Sequence, residues 1–244
     1  MDYGQIERQT FKTYLAFSGL VLFFLLASFA YVFSSTYRIS EITYNEDENL
    51  DYSSLNKLLG TSIWLVSDEF FDEFYTENPT VEKLVLVRKM PSTLAVDITL
   101  SDELAFINDT RQKPPQSFIL YKNLYQKPSI LNTDLMKVSI TNGPVQEGFF
   151  EEVATFVLTL KKYPINLSNV TLKYDGKEVN ATHFETSVNL GGPIDLARKG
   201  TLVGYYISEV PCNGEIRIVY TDDGSNIKAV KNCRFESTFE SAPA

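Results

Sequence analysis

A few side chains in this sequence are of types that could carry acid–base or metal chemistry. Asp68, Glu69, Asp72 and Glu73 stand at helical spacing, so two of them could act as a carboxylate pair or hold a cation. His183 is the single histidine, and a general base also needs a nucleophile or an orienting carboxylate beside it. We interpret the four carboxylates as the solvated acidic start of a helix, and His183 as a structural or surface residue.

The composition argues against several other functions. The chain has 22 Lys and Arg against 31 Asp and Glu, and its net charge of −9 does not suit a nucleic-acid partner. Two cysteines and one histidine cannot form the common zinc sites. Gly191 and Gly192 stand outside any phosphate-binding motif and indicate a turn. We therefore expect no metal and no cofactor.

The two cysteines, Cys212 and Cys233, flank a segment that is typical of a β-hairpin. Asp223-Gly224 is a turn signal between two β-rich runs. A turn centred between Asp222 and Asp223 would place the cysteines opposite each other, where a disulfide is geometrically feasible in an oxidising compartment. Two unpaired cysteines are the alternative.

An apolar segment near the N-terminus indicates a membrane anchor. Residues 14–33 carry no ionised side chain and, at about 1.5 Å per residue, are long enough as a helix to span a bilayer. We expect a transmembrane helix over residues 13–37. The alternative is a cleaved signal peptide, whose apolar region normally has about 7 to 15 residues.

The charges that flank this segment predict its orientation. Arg8 and Lys12 precede it, whereas Arg38 is followed by an acidic run. The positive-inside rule then places a tail of residues 1–12 in the cytoplasm and the rest of the chain outside it. We therefore expect a single-pass protein of the plasma (inner) membrane with an extracytoplasmic bulk.

The segment after the anchor has the periodicity of five short elements. In order, these are the strand YRISEITY, the helices DYSSLNKLLG and DEFFDEFY, and the strands VEKLVLVRK and TLAVDITL. Asp51 is placed to cap the first helix, and Pro91 falls in the turn between the last two strands. The order is β-α-α-β-β.

This order, directly after a membrane span, resembles a polypeptide-transport-associated (POTRA) domain. The residues that resemble the signature of the FtsQ/DivIB cell-division family are Pro79, Val81, Val85, Val87, Arg88, Pro91, Ser92, Thr93, Leu94, Val96 and Ile98. The pattern departs from the family at Ser101 and Asp102, where the family commonly has a Glu-Arg or Glu-Lys pair.

The remainder of the chain is also similar to this family in the order of its elements. SVNLGG, DLARKGTLVGYY and EIRIVYTDDG follow one another as a strand, a helix and a last hairpin. The expected fold class is therefore α+β. We expect a POTRA domain over residues 38–106, a β-rich second domain with two helices over residues 107–235, and a disordered tail over residues 236–244.

The resemblance implies a protein–protein site on the last strand. In the family, the corresponding strands take up an FtsB/DivIC-like partner, which together with FtsL links the protein to septal wall synthesis. By resemblance, the site residues are Tyr220, Ile227, Lys228, Ala229, Val230 and Lys231. An edge strand that is merely protected by its two lysines is the alternative.

The sequence thus predicts a non-enzymatic divisome scaffold that recruits and regulates septal peptidoglycan synthesis. No nucleic-acid partner is expected. The alternative function is a membrane-anchored, exported glycan hydrolase that acts on the cell wall through paired carboxylates, about 5 to 9.5 Å apart in a cleft.

Overall fold

The computed structural model describes residues 3–45, 49–130, 134–209, 212–221 and 226–234. The expected α+β fold class is confirmed. The chain divides into two compact units between Leu100 and Ser101. This division comes before the expected boundary at 106/107, because the strand that begins at Glu103 already pairs within the second unit. The expected tail over residues 236–244 lies outside the described residues.

A long helix, α1 (Tyr3–Val32), opens the first unit. Its segment Tyr14–Val32 has 19 residues with a mean hydropathy of 2.3, and none of them is buried by the rest of the chain. By length and composition this segment can cross a membrane once. The helix ends before the expected residue 37, because Ser34 caps a separate 3-10 turn over Ser35–Tyr37.

The rest of the first unit has the predicted β-α-α-β-β order. Its elements are β1 (Glu41–Tyr44), α2 (Ser53–Asn56), a 3-10 turn (Asp68–Phe71) leading into α3 (Asp72–Glu77), β2 (Val81–Lys89) and β3 (Thr93–Leu100). β3 is the central strand, with β1 parallel on one side and β2 antiparallel on the other.

Local signals in the sequence explain these elements. The carboxylate of Asp51 accepts a hydrogen bond from the Ser53 N–H at 2.9 Å, as expected of a residue at the start of a helix. In β3, the apolar residues Leu94, Val96 and Ile98 alternate with more polar ones and join the core formed with the helices. The sheet therefore has one face packed on the helices.

The second unit is built on one nine-stranded sheet. Its strands are β4 (Glu103–Asp109), β5 (Gln116–Tyr121), β6 (Gln126–Pro128), β7 (Met136–Ile140), β8 (Val170–Tyr174), β9 (Val179–His183), β10 (Thr186–Gly191), β11 (Asn213–Tyr220) and β12 (Ile227–Arg234). They lie in the order β12-β11-β10-β9-β8-β7-β4-β5-β6. The helices are α4 (Phe149–Leu160), a 3-10 turn (Leu167–Asn169) and α5 (Leu196–Ser208).

The two faces of this sheet differ in polarity. Side chains such as Val138, Leu172 and Ile216 are buried on the face that α4 and α5 cover, where they form the core. The opposite face carries an in-register row of polar side chains, namely Arg217, Asn189, Asn180, Lys173 and Ser139. This alternation is typical of a sheet with one packed and one solvated face. The face on which a side chain of β12 lies therefore determines whether that side chain is exposed to solvent.

Candidate functional site

The predicted partner strand, β12, forms one edge of the nine-stranded sheet. Among the described strands, it pairs only with β11, antiparallel, from Asn213 opposite Arg234 to Tyr220 opposite Ile227. Of the predicted site residues, the structure places on this strand Ile227, Lys228, Ala229, Val230 and Lys231. Tyr220 ends β11 beside them. The structure thus brings all six residues to one sheet edge.

The hydrogen bonds of the hairpin determine which backbone groups of β12 face outward. The Thr221 N–H donates to the Asn226 carbonyl at 2.8 Å, so these two residues form a hydrogen-bonded pair. Because such pairs alternate along an antiparallel ladder, Val230 directs its N–H and C=O toward Arg217 of β11. The residues whose N–H and C=O point to the open edge are Ile227, Ala229 and Lys231.

The side chains of β12 divide between the two faces of the sheet. Ile227 and Ala229 are partly buried and pack against the core on the face that α5 covers. On that same face, the Lys231 ammonium lies 4.3 Å from the centre of the Tyr206 ring. Val230 belongs to the opposite face, where its side chain is 54% exposed. β12 therefore offers an exposed apolar side chain beside its outward backbone groups.

Tyr220 is held in place by the start of α5. Its hydroxyl donates a hydrogen bond to Asp195 Oδ2 at 3.0 Å, and the Lys199 ammonium lies 5.5 Å from the centre of its ring. Burial, followed by the hydrogen bond to Asp195, raises the pKa of Tyr220. Its ring is therefore fixed next to the hairpin end of β12.

The lysine beneath Tyr220 is buried. Lys199 is 2% exposed, and its ammonium donates to the Gly192 carbonyl at 2.8 Å. Burial lowers the pKa of Lys199, whereas the charges of Asp195 and Glu152 act in the opposite direction. Asp195, Lys199 and Tyr206 were not predicted as neighbours of the hairpin, because each contacts a residue that is distant from it in the chain. A lysine within the apolar pattern of α5 was the available signal.

The hairpin is also cross-linked at the end opposite its turn. The structure joins Cys212 and Cys233 in a disulfide, with Cα atoms 5.1 Å apart. The register differs from the expected one, since Cys233 lies opposite Gly214 and Cys212 is its diagonal neighbour. The cause is a turn centred one residue later than expected, as the pairing of Thr221 with Asn226 indicates. The cross-link ties the far end of β12 to the residue that precedes β11.

The structure describes only some of the side chains in the acidic cluster of the first unit. The side chains of Asp68 and Glu69 lie outside the described part. Asp72 stands in the first turn of α3, and Glu73 Oε1 is 2.7 Å from the Lys57 ammonium in an exposed ion pair. Because Glu73 is paired with a cation, this arrangement favours a solvated helix start over a hydrolase dyad.

His183 lies at the end of β9, and its ring packs edge-on against Phe184 with centres 4.5 Å apart. Burial lowers the pKa of this imidazole. Within the described part of the chain, no three His, Cys, Asp or Glu side chains come together as a metal site would require. These contacts favour a structural role for His183.

Comparison with known proteins gives a consistent result. No family model matches the chain. It is 28% identical over 127 residues to the cell division protein DivIB of Staphylococcus aureus strain NCTC 8325 / PS 47, and 27% identical over 127 residues to DivIB of strain MRSA252. Each match covers 49% of this chain and 26% of the relative, so the chain spans about a quarter of the length of these relatives. The similarity, the α+β layout and the apolar N-terminal helix confirm the resemblance to DivIB cell-division proteins.

Proposed function

We propose that this chain is a membrane-anchored, non-enzymatic scaffold of bacterial cell division of the FtsQ/DivIB type. In this proposal, β12 accepts a strand from an FtsB/DivIC-like protein, which binds together with an FtsL-like protein. The assembly recruits and regulates septal peptidoglycan synthesis. The similarity to DivIB supports the cell-division role, and the open edge of the nine-stranded sheet supports this way of binding.

The observation that carries the proposal is the set of outward backbone groups on β12. Ile227, Ala229 and Lys231 direct their N–H and C=O groups away from β11. An added strand would pair with these groups, and each hydrogen bond would contribute about 0.5 to 1.5 kcal/mol net. Main-chain pairing alone is not selective, so the side chains of β12 must supply selectivity.

Two exposed side chains of β12 give the edge a chemical preference. Lys228 and Val230 lie on the polar face of the sheet, and Val230 is 54% exposed. Neighbouring strands interact through directly opposed side chains, with opposite charges favoured. The preferred partner strand therefore carries an acidic residue near Lys228 and an apolar residue near Val230.

The membrane anchor sets where this encounter takes place. The helix α1 holds the chain at a bilayer, and we place the residues that follow α1 on the extracytoplasmic side. A disulfide between Cys212 and Cys233 is consistent with that location, because such bonds persist in oxidising compartments. The extracytoplasmic parts of single-span partners would then lie on the same side of the membrane as β12.

The test compares two substitutions at one position, Ala229→Pro and Ala229→Ser. Proline removes an outward N–H that an added strand needs, whereas serine keeps it. Ala229→Pro should weaken binding by at least about tenfold, because the lost hydrogen bond and the proline ring at the outward N–H both oppose an added strand. The measurement is the affinity of the full-length protein, in detergent, for the purified FtsB/DivIC-like and FtsL-like proteins of its own cell.

A second proline tests the assigned direction of the backbone groups. Val230→Pro removes an N–H that faces β11, so it should reduce the protection of β12 against hydrogen exchange. Ala229→Pro should leave that protection nearly intact while still weakening binding by at least about tenfold. Full affinity in the Ala229→Pro variant would refute strand addition at this edge.

A further inference from the structure

Two apolar side chains form an exposed tip on the first unit. Trp64 and Leu65 are 39% and 50% exposed, whereas Ile63 and Val66 on either side are 0% and 2% exposed. The flanking residues thus anchor the loop in the core, and the tip projects from it. Exposing two adjacent large apolar residues to water is unfavourable. Such a tip therefore indicates a surface that covers it.

The backbone of this tip is held firmly. The guanidinium of Arg88 donates to the Ile63 carbonyl at 3.0 Å and to the Val66 carbonyl at 2.7 Å. The Ile63 N–H donates to the Tyr37 carbonyl at 2.8 Å. One side chain of β2 therefore bridges both ends of the tip, so its conformation does not have to be ordered upon binding.

The tip lies next to the end of α1. The Ser62 hydroxyl donates to the carbonyl of Val32, the last residue of α1, at 2.6 Å. The Trp64 ring centre is 6.1 Å from that of Tyr31 and 5.9 Å from that of Tyr37. These rings form one aromatic cluster where α1 ends.

The length of α1 determines the depth of this cluster. The apolar segment Tyr14–Val32 has 19 residues, which corresponds to about 28 Å of helix against a hydrocarbon core of about 30 Å. Val32 therefore lies near the boundary between acyl chains and headgroups. Trp and Tyr side chains prefer that boundary, because their rings are apolar and their N–H and O–H groups are polar.

We propose that Trp64 and Leu65 are a second membrane anchor, which inserts into the headgroup region of the leaflet at which α1 ends. The occupant of this surface is the phospholipid bilayer. We assign the bilayer because the tip adjoins the end of α1 and because Trp64 forms an aromatic cluster with Tyr31 and Tyr37 there. Insertion gives the part of the first unit that follows α1 a second point of attachment to the bilayer.

The single tryptophan of the chain makes the proposal directly testable, because Trp64 is the only indole fluorophore. The full-length protein is reconstituted into phosphatidylcholine–phosphatidylglycerol vesicles, with plain lipids or with lipids brominated near the headgroup end of the acyl chains. We expect the brominated lipids to quench Trp64 emission. Emission that is not quenched by these lipids, but is quenched by aqueous acrylamide, would overturn the proposal.

The variant Leu65→Asp tests whether quenching of Trp64 comes from insertion of the tip or only from its proximity to α1. A carboxylate keeps the tip in water, so quenching by brominated lipid should fall at least about twofold. The matched control is Leu100→Asp, since Leu100 is 40% exposed and lies about 23 Å along β3 from Thr93. The Thr93 end adjoins Ser92, whose carbonyl accepts from the Ser40 N–H close to α1. The control should leave quenching unchanged.

Unchanged quenching in Leu65→Asp would overturn the insertion of the tip. Loss of quenching in both variants would also overturn it, because the effect would then follow from added charge at any exposed site. Failure of the brominated lipids to quench Trp64 in the unsubstituted protein, with no other protein in the vesicles, would exclude the bilayer as the occupant.

Discussion

Gly143→Ala is expected to lower the free energy of unfolding of the second unit by about 2 to 4 kcal/mol. Gly143 lies after β7 with φ of +70°, and a Cβ there would stand 2.5 Å from the Cα of Gly176. Gly176, in the turn between β8 and β9, has φ of +98° and would clash with Gly143 in the same way. Because the contact is between two backbones, no change of rotamer relieves it.

The matched control for this prediction is Gly148→Ala. Gly148 also has a left-handed φ of +78°, but no atom lies within 4 Å of its Cβ position. This variant should therefore cost only the conformational penalty of about 1 kcal/mol. The measurement is hydrogen exchange of the β8 amides by mass spectrometry, which reports the free energy of opening. Equal losses in the two variants would contradict the role of the contact between the two turns.

Arg111→Met is expected to destabilise the second unit by about 3 kcal/mol near neutral pH. The Asp109 side chain is 9% exposed and forms an ion pair with Arg111. One carboxylate oxygen accepts from the Arg111 Nε at 2.8 Å, and the guanidinium also donates to the Gly143 carbonyl at 2.9 Å. Methionine keeps much of the packing but leaves a nearly buried carboxylate without its cation.

The effect of this substitution should depend on pH in a defined direction. The hydrogen bonds from Arg111 lower the pKa of Asp109. In the unsubstituted protein, its stabilisation is present above the unfolded pKa of about 3.9 and is lost as the pH falls through the lower folded pKa. In Arg111→Met, burial raises the pKa of Asp109, so acid relieves the penalty. The difference between the two proteins should therefore shrink as the pH is lowered from 7 toward 3.

Hydrogen exchange of the β4 and β7 amides at several pH values tests this prediction. Lys57→Met in the first unit is the contrasting variant, because its ion pair with Glu73 is exposed at 62% and 55%. Loss of that pair should have little effect on the stability of its own unit, because solvent screens exposed ion pairs. A similarly small, pH-independent loss in Arg111→Met would show that the buried pair contributes no more than a surface pair.

The sequence was sufficient for the elements whose signals are local. Alternation in β2 and β3 predicts the strands of the first unit, which the structure confirms, and Asp51 lies one residue before the N-cap Tyr52 of α2. The pairing of β4 with β7 and of β10 with β11 was not predictable, because parallel pairing joins strands distant in the chain and leaves no turn signal.

The candidate site shows the same limit. The position of β12 at the sheet edge follows from a hairpin signal, but the register was expected two residues off, since it depends on the centre of the turn. The contact of Tyr220 with Asp195 joins residues that are 25 apart in sequence, and the cluster of Trp64 with Tyr31 depends on how α1 meets the loop. Neither contact has a signature in a single sequence.

The order of strands in the nine-stranded sheet also has a kinetic consequence. From β8 to β12, each strand lies beside the one that precedes it in the chain. The sheet can therefore grow by propagation, one strand at a time, with short loop closures between antiparallel neighbours and longer ones across α4 and α5. Addition of a partner strand to β12 would be one more step of this propagation. A bound partner would then slow the fraying of β12, and fraying of β12 would in turn release the partner.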